Sequence, residues 1–236
     1  MHSMSPTSPT KSETDNRDPS LSFLKLKLTK NSIAPRYWPS WLWLFFLRFT
    51  ALLPLAWSRA LGAGFGLLMM TTNKKRRRIA RINRELCFPK LSLREREHLR
   101  RRHFIVSGQS YVDLAYLAWA SERRILRKTH IRGLEHYHDL RGRNVILLAP
   151  HCVGINFGGS TIARERAIFT MVKLQGNPVV NWLLNRAQTR FNSFLLSRTQ
   201  GLRPVIRGLK QGLVFHYSPD EDFGDRQSVF VPFFGV

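Results

Sequence analysis

The sequence predicts an α/β fold, a mainly parallel sheet flanked by helices, preceded by an N-terminal membrane-associated helical segment. Three observations predict it. Strand-like and helix-like segments alternate from Asn144 onward, the pattern of parallel strands joined by crossover helices. An almost uninterrupted apolar stretch runs from Trp38 to Met70, and a dense basic run follows it directly. The 236 residues carry 38 Lys+Arg against 15 Asp+Glu, a formal charge of +23, with 43% hydrophobic residues. That is enough apolar material for a core, and it excludes a wholly disordered basic tail. Such a charge calls for an anionic partner: nucleic acid, anionic lipid or an acidic protein. The two cysteines, Cys87 and Cys152, exclude a disulfide framework and a four-cysteine zinc site.

Residues 1–20 are rich in Ser, Thr and Pro with little apolar content, which reads as a disordered tail. Residues 21–72 read as a membrane-associated or transmembrane helical region. Within it, Pro39, Pro54, Arg48 and Arg59 interrupt the apolar run, leaving a tilted span and an interfacial hairpin both open. Arg48 requires a partner or a route to the interface there. Trp38, Trp41, Trp43 and Trp57 bracket the stretch as an aromatic belt does. The basic run Lys74, Lys75, Arg76, Arg77, Arg78, Arg81, Arg84 suits anionic headgroups on the cytoplasmic side. A soluble nucleic-acid binder is the rival reading of the same charge, and no nucleic acid is expected.

Ser92 and Glu95 form a capping-box pattern, opening a helix that ends near Ala120 and places Phe104, Gly108, Tyr111, Ala115 and Ala118 on one face. The apolar run 144–150 reads as a strand, 155–166 as a helix and 167–173 as a strand. Asn177-Pro178 starts a helix through about Leu196. A short helix over 203–211 and a strand over 213–218 complete the alternation. Ligands of such sheets meet loops at strand carboxyl ends. The first such loop carries His151, whose ring can act as a general base near neutral pH. Neighbouring Cys152 reads as a packing residue. His130, His136 and His138 with Glu135 read as exposed loop groups, and no metal site is expected.

His151 to Asn156 after an apolar strand, with WPSWLWL, KKRRRIARINRELCFP, LRRRHF, ILLAPHCVGINFGG, YSPDEDFG and SVFVPFFGV in this order, resembles the glycerolipid and lysophospholipid acyltransferase superfamily, specifically its lipid A biosynthesis acyltransferase branch. The resemblance runs from about Arg36 to Val236 and assigns residues 73–236 to the acyltransferase domain. It implies a glycerolipid acyltransferase-like fold, transfer of a fatty acyl chain from acyl carrier protein to a hydroxyl of a lipid A precursor, and location at the inner membrane with the catalytic part on the cytoplasmic side. It implies no cofactor. His151 corresponds to the base, and Asn156 stands where the family has an acidic residue that orients the histidine. In the serine-protease triad, a worked case in general enzymology, loss of that acid costs about 10⁴-fold, so an impaired enzyme is expected. The alternative is a lipid-binding pseudoenzyme of the same fold. Asp220 or Asp222 is a candidate to supply the missing charge. Arg190 and Arg198 correspond to phosphate- or donor-binding arginines, while Asp220, Asp222 and Gly224 belong to the block around the substrate pocket. Family members continue beyond a strand-like VFVPFF, so the chain reads as lacking its C-terminal part.

Overall fold

A computed structural model describes residues 21–220, 229, 231, 232, 234 and 235. The expected tail, Asp222, Gly224 and, in the VFVPFF run, Phe230 and Phe233 lie outside the described residues. The chain divides into two compact units. One is helical and takes in residues 33–127, 151–154 and 220–236; the other contains the sheet and takes in residues up to 32, 128–150 and 155–219.

In the helical unit, α1 (Trp38–Thr50) and α2 (Leu55–Thr72) divide the apolar stretch between them. Proline lacks an N–H and restricts the residue before it, so the chain turns at Leu53-Pro54. No helix among the described residues is long and apolar enough to cross a membrane, and the single tilted span is not formed. The turn is tied down from elsewhere in the unit. Arg124, on α5 (Glu122–Leu126), donates to the carbonyls of Ala51 at 3.2 Å and Leu53 at 2.8 Å. Its guanidinium also stacks over Tyr116. Arg48 finds its partner in the face of Trp119, 5.7 Å from the ring centroid. Trp43 departs from the expected belt, stacking inward on Phe65 at 4.5 Å and on Phe46 at 5.2 Å.

The basic run forms α3 (Lys74–Cys87), capped by Asn73, whose side chain accepts from the Arg76 N–H. The helix α4 (Leu93–Trp119) opens on the expected capping box: Ser92 N–H donates to Glu95 at 2.8 Å and Glu95 N–H donates to Ser92 Oγ. Phe104, Gly108, Val112, Ala115 and Ala118 on α4 are buried. Gly62 and Gly66 of α2 face Gly108 of α4 so closely that a Cβ at Gly66 would overlap the Phe104 carbonyl oxygen. Glycine is required there because a backbone carbonyl cannot move aside as a side chain end can.

In the sheet unit, β1 (Ile146–Leu148), β2 (Ile168–Val172), β3 (Ser193–Ser197) and β4 (Val214–Tyr217) form a parallel sheet in the order β1-β4-β2-β3. Its connections contain α7 (Ile155–Ile162), α8 (Pro178–Gln188) and α9 (Arg203–Lys210), and α6 (Leu134–His138) precedes β1. Leu21, Phe169, Leu196, Val205, Leu213 and Phe215 build the core. Phe23 lies against Phe194, and the Leu24 N–H donates to the Leu195 carbonyl at 2.7 Å, so the segment before α1 straps the outer strand. The expected helix from Asn177 to about Leu196 ends eight residues early, and its tail becomes β3. The helix closes on Thr189, and Asn192, left-handed at φ 53°, a conformation Asn tolerates, stands directly before β3, where the chain turns into the strand. The helix expected over 155–166 also stops early, at Ile162. Arg166 beyond it donates to the carbonyls of Leu140, Arg143 and Gly212, closing the loops beneath the strands.

The glycine seam generates a paired test. Gly66→Ala is expected to cost about 1–3 kcal/mol or more by overpacking. Gly64→Ala, with open space where its Cβ would lie, is expected to stabilise by about 0.5–1 kcal/mol through helix propensity. Urea unfolding of the two variants measures the contrast.

Candidate active site

Two neighbouring parallel strands build the site. β1 and β4 pair with Leu148 opposite Tyr217, and the Ala149 N–H extends the ladder by donating to the Tyr217 carbonyl at 2.9 Å. Three residues beyond Leu148 stands His151, and three beyond Tyr217 stands Asp220. The two residues thus follow a paired position at equal offsets along the chain. No short-range signal links them, since 69 residues separate them in the chain.

The contact between them has two points. The backbone N–H of His151 donates to Asp220 Oδ2 at 2.7 Å, and its ring Nδ1 lies 2.7 Å from Asp220 Oδ1. A carboxylate only accepts, so Nδ1 carries the proton of this contact, the tautomer that in a neutral ring leaves the lone pair at Nε2. Partial burial pushes the Asp220 carboxyl up, but the hydrogen bonds from the His151 amide and ring outweigh it and hold the group below its ordinary range. Asp220 therefore stays charged at neutral pH. The His151 side chain keeps 52% of its surface open, so a reactant can reach the ring. The structure thus brings together His151 and Asp220 out of the residues singled out in the sequence.

The other expected residues occupy separate places. Asn156 lies in the first turn of α7, and its amide oxygen accepts from Gln188 Nε2 at 3.0 Å, joining α7 to the end of α8. Gln188 has no signature of its own in the sequence. Arg190 stacks its guanidinium on Phe191, 5.2 Å from the ring centroid. Arg198 opens the turn directly after β3, on the carboxyl edge of the sheet. Asp222 and Gly224 lie outside the described residues. Cys152 is exposed, in the loop between β1 and α7, which overturns its reading as a packing residue.

Comparison with known proteins converges on one family. The chain is 32% identical over 212 residues to the lipid A biosynthesis lauroyltransferase of Escherichia coli (strain K12), covering 89% of this chain and 69% of that protein. It is 32% identical over 207 residues to a lipid A biosynthesis acyltransferase of Haemophilus influenzae, covering 86% and 65%. It is 34% identical over 205 residues to the E. coli lipid A biosynthesis myristoyltransferase, covering 86% and 64%. The chain therefore spans about two thirds of the length of these relatives. The profile of the bacterial lipid A biosynthesis acyltransferases matches residues 26–236, from just before the apolar helices through the His151 loop to Val236, and the chain belongs to that family.

Proposed function

We propose that the protein transfers a fatty acyl chain from the thioester of acyl carrier protein to a hydroxyl of a lipid A precursor, with His151 as general base and Asp220 as the carboxylate that orients it. The observation that carries this reading is the two-point contact of Asp220 with the backbone and ring of His151. Nε2 takes the proton of the acceptor hydroxyl as that oxygen attacks the thioester carbonyl. The new ester bond forms, the carbon–sulfur bond breaks, and the imidazolium returns its proton to the departing thiolate. Asp220 stabilises the imidazolium between these steps. This assignment replaces the missing acid at position 156, so Asn156 acts in packing against Gln188 rather than in proton transfer. The thioester supplies the driving force, and neither metal nor nucleotide enters the reaction.

The partners we propose are anionic in both cases. Acyl carrier protein is acidic and lipid A precursors bear phosphates, and a +23 chain steers toward either. We place the enzyme on the cytoplasmic face of the inner membrane. Leu42, Phe45 and Phe49 expose the face of α1 opposite Leu44 and Leu47, with Trp38, Trp57 and, in the turn after the helix, Leu52 also open. Such a face, in a unit that also holds the basic α3, suits insertion into the headgroup boundary of an anionic bilayer. The inactive lipid-binding alternative draws on Asn156, a neutral amide where the family has an acid.

Acyl-carrier thioester and a lipid A precursor supplied to the full chain separate these readings. His151→Ala is expected to reduce turnover to background, Asp220→Asn to lower kcat by about 10²–10⁴-fold, and Asn156→Asp to change it less than about tenfold. Undiminished turnover in Asp220→Asn removes the proposed mechanism; lipid binding without turnover by the folded wild type establishes the inactive alternative. Stability carries a separate signature. Because the folded value of Asp220 is depressed, its contribution is present above the ordinary carboxylate range and lost as pH falls through the folded value. The stability difference between wild type and Asp220→Asn is expected to hold constant down to about pH 5 and to shrink below about pH 4, as read by chemical denaturation across pH. For the membrane, Phe45→Glu with Phe49→Glu is expected to abolish flotation with phosphatidylglycerol vesicles while leaving the fold intact by circular dichroism.

A further inference from the structure

The helix α3 is packed inside out. Its half-buried positions are Arg77, Ala80, Arg84 and Cys87, while Ile79, Ile82 and Leu86 face outward. Across from Arg84, α4 presents Arg96, Glu97, Arg100 and His103, the groups whose fields reach the Arg84 guanidinium or share its field. Positive charge is in excess there. The two nearby carboxylates are already engaged, Glu97 by Arg100 and Glu85 by Arg81. Arg84 Nε and Nη1 and Arg100 Nε are shielded from water, and among the described residues no acceptor lies within hydrogen-bond reach of them. Leaving a guanidinium N–H shielded and unmatched costs free energy. Burial and then the Arg100 charge hold Arg84 below its ordinary value, and burial, Arg84 and Arg76 do the same to the His103 ring.

We propose that the α3–α4 seam is a binding site for a phosphate group, held between the guanidinium groups of Arg84 and Arg100 with His103 beside it. A planar guanidinium matches two phosphate oxygens at once, and a phosphate anion supplies both the missing acceptors and negative charge. The two nearby carboxylates leave those N–H groups unmatched: Glu85 pairs with Arg81, and Glu97 engages Arg100 through the terminal Nη2 only, leaving its Nε and Arg84 Nε and Nη1 without an acceptor. The site involves neither His151 nor Asp220 and stands independently of the proposed reaction. The phosphate comes either from a phospholipid headgroup or from a soluble phosphate.

Two probes distinguish the sources in the full chain. Inorganic phosphate is titrated at constant ionic strength against chloride, reading the unfolding temperature and the His103 ring by NMR. Vesicles of phosphatidylglycerol and of phosphatidylcholine are compared by co-sedimentation. Binding is expected to raise the unfolding temperature and to move the His103 titration upward, since an anion reverses the local field. Arg84→Gln and Arg100→Gln are each expected to weaken binding about tenfold. Arg78→Gln, an exposed change of equal charge on the same helix, is expected to weaken it far less. A response to inorganic phosphate identifies a soluble source, and a response to phosphatidylglycerol vesicles alone that moves the His103 titration and is weakened by Arg84→Gln but not by Arg78→Gln identifies a headgroup. If neither probe binds, or if Arg78→Gln loses as much as Arg84→Gln, the charge is diffuse and the site does not exist. Should the glutamine variants unfold, the His103 titration of the wild type with and without each probe decides the matter.

Discussion

The two-point grip of Asp220 on His151 is the interaction on which the rest of the functional architecture depends. A single hydrogen bond to Nδ1 would set the tautomer but let the carboxylate swing about it. A second bond, from the backbone N–H of the same residue to the other oxygen, removes that freedom. Along the chain the two residues follow the paired ends of β1 and β4 at equal offsets. Shifting that pairing by one residue would break the equal offsets and turn alternate side chains to the opposite face. Short strands at the middle of a sheet are therefore under a functional constraint beyond packing: β4, buried between β1 and β2, must hold one alignment on its β1 side.

The helical unit solves a different problem, that of packing a strongly basic and strongly apolar stretch without neutralising either. Close backbone approach at Gly62, Gly66 and Gly108 makes a dense seam with little side-chain volume, and Arg124 closes the α1–α2 turn through carbonyl groups that the proline break leaves without helical partners. Large apolar residues are consequently left on the outer faces of α1 and α2 rather than consumed in the core. Arginine is used in this unit as a structural group as often as a surface charge: Arg48 on an indole face, Arg59 beside Gln109 and the buried Asp113, Arg124 on two carbonyls. A count of charges along the sequence cannot separate these uses, because it is blind to which guanidinium groups are desolvated.

Local signals proved legible where the physics is local. The capping box at Ser92 and Glu95, the proline break at Pro54, the Asn177-Pro178 helix start and the strand-like runs around 146, 168 and 214 each depend on a few adjacent residues, and each formed. β3 was misread because Ser193–Ser197 continues an apolar pattern compatible with the preceding helix. What makes it a strand is its pairing with β2, a contact outside any local window, entered through the left-handed residue Asn192. In the same way Trp43 reads as an interfacial aromatic by position, yet stacks inward because Phe65 and Tyr111 arrive from other helices.

The sequence by itself determined the family, the alternation that makes a parallel sheet, and the histidine at its carboxyl edge, since these follow from residue order and periodicity. Only the tertiary structure decided which carboxylate serves that histidine. Residue 156 is close along the chain but bonds to Gln188, whereas Asp220 is remote along the chain and adjacent in space because two parallel strands align their ends. Spacing along a polypeptide constrains distance only within an element; across a sheet, distance is set by hydrogen-bond register, which is a property of the pair and is written in neither strand alone.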